Sequence, residues 1–261
     1  MELIKSGDTQ YEEYENLLLE RDQLQKEAGQ VWTAYVIEFG QLISDVYNEQ
    51  LECVKCKKTI AYYQNAINHG GIIDQDAMQA YLDKEMASYY AELARLQEEN
   101  ENCKNSSESA PYEVQRSKTL YRRLAKLIHP DINPETDRQE KLTDLWQRIV
   151  TAYHHNDVKE LSELEVLVRK AMADLGKGDI KVDIPDIAEK IDALKAEIYD
   201  ITHTDPYTYK ELLDSPDAVK KKKEDLKEQL VSYQKYHSEL DKEIQKMITS
   251  GGITLKWRMK Q

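Results

Sequence analysis

The chain has 261 residues, a third of them charged, with a net charge of -13 and a mean hydropathy of -0.75. That is too polar for one large globular core, yet Leu, Ile, Val and Tyr are frequent enough to exclude a disordered chain. Gly and Pro are scarce, at 9 and 6 residues, which points to long, solvated helices.

Residues 1–9 read as a loose start, and a helical pattern begins near Tyr11. Ala28, Trp32, Tyr35, Phe39, Leu42 and Val46 recur at alternating steps of four and three. The register continues through Glu49 to Cys53, Cys56, Ile60, Tyr63 and Ile67, so a single apolar seam runs along one long helix. Gly40 weakens that helix locally by about 1 kcal/mol relative to Ala. Asn68-His69-Gly70-Gly71 stops it. A second helix follows from about Asp74, with Met78, Leu82, Met86, Tyr89, Leu93 and Leu96 as its seam. The two are expected to fold back as an antiparallel hairpin over residues 1–105, with Cys56 opposite about position 87. The first helix is the longer, so its outer half, near Tyr11 to Gln30, needs another partner or stands in solvent.

A polar break over 102–111 opens the central unit, residues 111–175. A helix is expected over about Pro111 to Ile128, a loop over 132–137, and a helix over about Arg138 to His154. Asn156 and Asp157 then cap a third helix, Val158 to Leu175, with Leu161, Leu164, Leu167 and Val168 on its apolar side. The last region, 180–261, is expected to be a second helical hairpin. One helix carries Ile187, Ile191, Leu194, Ile198 and Ile201. The other starts at Ser215-Pro216 and carries Val219, Leu226, Leu230, Tyr233, Leu240, Ile244 and Met247. Two stretches alternate apolar and polar residues, 180–184 and 253–259, and are expected to pair as an antiparallel two-stranded clasp. The fold class is therefore mainly α: long, coiled-coil-like helical hairpins flanking a small helical unit. The seams at the two ends pack on each other, or the long N-terminal helix forms a homodimer; both arrangements stay open.

Charge is spread unevenly. Residues 1–110 hold 9 basic and 21 acidic groups, residues 111–170 hold 11 and 10, and residues 171–261 hold 16 and 18. The acidic balance argues against nucleic acid as a partner, since phosphate binding needs a positive field. No stretch reaches the ~20 apolar residues of a membrane span, and the opening residues lack the apolar core of a signal peptide. A cytoplasmic protein is expected. Cys53 and Cys56 fall on the seam and read as small buried residues; no metal site is expected, for want of a second ligand pair. Lys220 to Lys223 precede Glu224 and Asp225 and read as a solvated, ion-paired face. His154-His155 close a helix, where a cation suits the dipole. No nucleophile–base pair and no paired carboxylates suggest an enzyme, and no cofactor is expected.

The chemistry concentrates at His129-Pro130-Asp131. The residues before it, 116–126, carry five basic groups and no acidic one: Arg116, Lys118, Arg122, Arg123 and Lys126. Pro130 biases His129 away from helical angles and fixes its own φ, so the preceding helix ends in a stiff turn that is cheap to dock. Around the turn, Tyr121, Leu124 and Ala125 on one side and Trp146, Ile149, Ala152 and Tyr153 on the other stand at the offsets found in the J domain of DnaJ-type co-chaperones. Residues 111–155 resemble that family. The family's short first helix has no counterpart here, nor do its Gly/Phe-rich linker and zinc module. The resemblance implies a partner, a DnaK-type chaperone in its ATP-bound form, and no catalytic group in this chain. It implies that Asp131 engages a positive group on that partner, that His129 and Pro130 hold the turn, and that Arg122, Arg123 and Lys126 steer onto an acidic surface. The arms would select client proteins. A coiled-coil adaptor that keeps a relic J fold as a spacer is the alternative.

Overall fold

The structure is a computed structural model, and it describes residues 2–105, 109–175, 186–250 and 253–256. In chain order the elements are α1 (Glu2–Asn68), β1 (Ile72–Asp74), α2 (Gln75–Asn105), α3 (Pro111–Ile128), α4 (Glu135–Arg138), α5 (Glu140–His154), α6 (Val158–Asp174), α7 (Ile187–His203), α8 (Tyr209–Leu213), α9 (Pro216–Ser250) and β2 (Thr254–Lys256). The protein is mainly helical, as its composition predicts. Among the described residues, no helix is long and apolar enough to cross a membrane. The chain forms two compact units: Met1–Val31 with Ser107–Thr208, and Trp32–Ser106 with Tyr209–Gln261.

These units revise the expected domains. Helix α1 is helical from Glu2 rather than from Tyr11, and it contributes to both units. Helix α7 belongs to the first unit and α9 to the second, so the C-terminal hairpin expected over 180–261 is divided between them.

The first unit is built on α3, α5 and α6. Leu120, Leu124 and Ile128 of α3 meet Leu142, Leu145, Ile149 and Ala152 of α5. Helix α6 closes the layer with Leu161, Leu164, Val168 and Ala171; Leu167, expected on that face, is exposed. Thus α6, together with Leu19 of α1, covers the apolar faces of α3 and α5. Asp157 caps α6 as expected, its carboxylate accepting from the Glu160 amide at 2.9 Å. A second, smaller core joins Tyr14 and Leu18 of α1 to Ile191 and Leu194 of α7 and to Ile132, just past the His-Pro-Asp turn.

In the second unit α1 has two neighbours. Helix α2 folds back antiparallel: Lys58 pairs with Glu85 at 2.7 Å and the Tyr62 and Tyr81 rings lie 5.3 Å apart, the register expected from the Gly70-Gly71 turn. The apolar seam, however, faces α9. Phe39 and Val46 pack on Leu226, and Cys53, Cys56 and Ile60 pack on Leu240. Contacts advance in the same direction along both helices, so α9 runs parallel to α1. Gly40 is where α2 comes closest: the Asn100 side chain donates to the Gly40 carbonyl at 2.9 Å and to Ser44 Oγ at 2.8 Å, and a Cβ on residue 40 would sit 1.9 Å from Asn100 Oδ1.

The clasp differs from expectation. Stretch 180–184 lies outside the described residues, as do 257–259. Strand β2 pairs with β1 instead, and the pairing is parallel, with Ile72 opposite Thr254 and Asp74 opposite Lys256. Because α1 and α9 run the same way, the chain leaves both helices in one direction, and an antiparallel ladder is not available to the segments that follow. Ile73 is buried and anchors the ladder.

Candidate docking site

The His-Pro-Asp turn sits at the C-terminus of α3. His129 has extended angles (φ -62°, ψ 129°), as a residue before proline prefers, while its amide still donates to the Ala125 carbonyl at 2.8 Å. The amides of Ile132 and Asn133 both return to the His129 carbonyl, at 2.9 and 2.7 Å. Asn133 donates to the Leu127 carbonyl at 3.0 Å, tying down the end of the helix. The turn is closed from inside as well: His129 Nδ1 accepts from the Asp131 amide at 3.1 Å. That bond places the ring proton on Nε2. Trp146 of α5 meets the ring edge-on at 4.7 Å.

The far side of the ring meets α1. His129 is only 5 % exposed, and its Nε2 lies 3.6 Å from Asp22 Oδ2. The same carboxylate oxygen accepts from the Tyr121 hydroxyl at 2.6 Å, and Oδ1 accepts from Arg21 Nη2 at 2.8 Å. Burial pushes the Asp22 carboxyl up, but the His129, Tyr121 and Arg21 groups outweigh it and hold the acid below its ordinary range. Burial beside Asp22 drives the Tyr121 hydroxyl far above its ordinary range, so it stays a donor. Tyr153 stacks on Tyr121 at 4.0 Å and backs the network.

Arg21 also reaches Asp131, at 3.8 Å, and Glu197 of α7, at 3.6 Å. Asp131 keeps an outward aspect, with 47 % of its side chain exposed. One turn earlier on α3, Lys126 pairs with Glu15 of α1 at 2.8 Å. Arg122 and Arg123 are exposed, and Arg123 also pairs with Glu165 of α6 at 3.0 Å. The six residues singled out from the sequence, His129, Pro130, Asp131, Arg122, Arg123 and Lys126, therefore share one end of α3. The segment of α1 that needed a partner lies against part of that end.

Sequence reasoning missed Glu15, Arg21, Asp22 and Lys26. Each sits on a helix face that reads as ordinary solvated polarity, about a hundred residues from what it touches. Lys26 is 3 % exposed and donates to the Tyr153 carbonyl at 2.6 Å and to Asn156 Oδ1 at 2.5 Å, with its ammonium 3.8 Å from the Tyr153 ring centre. Burial, helped by nearby Lys118, lowers its pKa to about 8. Burial and Lys26 likewise press the His154 pKa down, so the helix-end cation expected there is disfavoured. Comparison of the chain with protein-family models, with curated proteins and with solved structures finds no match.

Proposed function

We propose that the chain is a J-type co-chaperone that binds a DnaK-type chaperone through His129-Pro130-Asp131 and the basic end of α3 and stimulates its ATP hydrolysis. In this reading its own α1 covers part of that surface between encounters. One observation carries the reading: α1 offers the turn the charges a partner would offer. Arg21 faces Asp131, where a chaperone cation would stand, and Glu15 faces Lys126, where its acidic surface would stand. Asp131 and Lys126 each keep about half of their side chain exposed, so an external partner of higher charge density can replace Arg21 and Glu15 at those two groups. Arg122 and Arg123 remain on the surface to steer the encounter, an effect that weakens with salt. The ATPase site belongs to the partner, and the helices outside the α3–α6 layer select clients.

Single-turnover ATP hydrolysis by a DnaK-type chaperone tests this. The wild-type chain is expected to accelerate turnover; His129→Gln and Asp131→Asn are expected to lose the acceleration. Because Asp131 is half exposed, the second substitution leaves the fold intact. A wild-type chain that has no effect on turnover in this assay defeats the proposal.

A second reading is a scaffold that uses a relic J fold as a spacer. The burial of His129 against Asp22 favours it, since the ring is then committed to an internal contact. It predicts that a partner captured by the helical arms still binds Asp131→Asn and Arg122→Ala/Arg123→Ala chains. Loss of binding in both contradicts it.

A further inference from the structure

We propose that Cys56 of α1 with His237 and Asp241 of α9 form a binding site for one zinc-type divalent ion in the second unit. The adjacent sequence offers Cys56 no second ligand pair, but the fold supplies one from a helix some 180 residues later. His237 and Asp241 stand four apart on α9 and therefore share a face. One donor atom from each of the three residues lies within 4.8 Å of the other two. Cys56 Sγ is 3.5 Å from one Asp241 oxygen, and His237 Nε2 is 3.6 Å from the other. For Zn–S near 2.3 Å and Zn–N or Zn–O near 2.0–2.1 Å, the edges of a ligand tetrahedron are about 3.3–3.6 Å. Two of the three edges, each to a different Asp241 oxygen, already have that length, and the third is within 4.8 Å.

The outer contacts point the same way. His237 Nδ1 lies 2.6 Å from Glu49 Oε1, so a carboxylate stands behind the ring, and Nε2 faces Asp241 at 3.6 Å. The Cys56 thiol donates to Asp241, and a cation would take the place of that proton; a carboxylate behind the histidine is the usual support of a metal-bound imidazole. On binding, the thiol loses its proton to solvent, the sulfur–metal bond forms, and the imidazole and carboxylate bind as they stand. Sulfur, imidazole and carboxylate together favour zinc over magnesium or calcium. The fourth position faces solvent, where Asp241 is 59 % and His237 25 % exposed. Cys53 is directed elsewhere, its sulfur 3.5 Å from the Tyr233 carbonyl.

The test is cobalt(II) titration of the tag-free full chain after chelation. One equivalent is expected to raise a thiolate-to-cobalt band in the near ultraviolet, and zinc is expected to bleach it. Cys56→Ser should abolish the band. Asp241→Asn, at an exposed position that cannot unfold the chain, should weaken binding at least tenfold, and Glu49→Gln about tenfold. Cys53→Ser should leave the band unchanged. No band in the wild-type chain, or a band that survives Cys56→Ser and Asp241→Asn, overturns the site.

Discussion

Helix α1 is one continuous element that meets its neighbours by two different chemistries. Between Tyr35 and Ile60 it offers an apolar seam to α9, and a glycine lets α2 approach; Ile67, expected on that seam, is exposed. Between Glu13 and Lys26 it offers Glu15, Arg21, Asp22 and Lys26, with only Leu19 in the main core of that unit and Tyr14 and Leu18 in a smaller one. Apolar burial is nondirectional and hard to exchange for a competitor; matched charges are directional and exchangeable. The apolar segment is therefore held by contacts that are hard to replace and the charged one by contacts that are not. Removing Asp22 cuts deepest into that contrast. Asp22→Ala strands the Tyr121 hydroxyl and takes from Arg21 its nearest partner, and should cost the first unit about 3 kcal/mol, read as lost hydrogen-exchange protection in α3 and α5 with α9 unaffected. For the wild-type chain the same acid sets a pH limit. Its folded pKa lies below its unfolded one, so its contribution is present above about pH 4 and is lost as pH falls through the folded value.

Lys26 gives the next largest effect, again with stability rising with pH but in the alkaline range. Its pKa is about 8 in the fold and 10.5 otherwise, so between those values the unfolded chain binds more protons and stability rises with pH. The gain should be about 2 kcal/mol once solvent screening is allowed for, and Lys26→Met should remove the slope. Denaturation of the two chains at pH 7 and pH 10 checks this; parallel curves would mean that Lys26 is not buried as a cation. The glycines sharpen the comparison further. Gly40→Ala expels Asn100 from its two hydrogen bonds and should cost the second unit about 1–2 kcal/mol despite the better helix former. Gly29→Ala meets nothing within 4 Å and should gain about 0.5–1 kcal/mol. Exchange rates in α2 and in the first half of α1 report each separately.

These contrasts also mark what a reading of the sequence can reach. The ends of α3, the cap at Asp157, the Gly70-Gly71 stop and the seam through Cys53 and Cys56 follow from local spacing and turn chemistry, and they stand where expected. The seam's partner did not follow, because spacing shows which face is apolar and not which of two helices covers it. The parallel β1–β2 ladder escaped for a related reason: Ile72–Asp74 is too short to show alternation, and its sense is set by a helix that ends 180 residues later. The contacts of Glu15, Arg21 and Asp22 leave no periodic trace at all. Of the candidate site, the turn and its basic helix were legible; their cover was not. Cys56 was legible as a seam residue, and its relation to His237 and Asp241 exists only in the fold.

In the proposed function α1 competes with a partner for the turn. The direct measurement is single-turnover ATP hydrolysis by a DnaK-type chaperone with the wild-type chain, with Glu15→Gln/Arg21→Gln, and with that pair plus Asp131→Asn. The account predicts that the double variant stimulates turnover several-fold more than wild type and that adding Asp131→Asn abolishes the gain. Equal stimulation by wild type and the double variant, or a gain that survives Asp131→Asn, would contradict it.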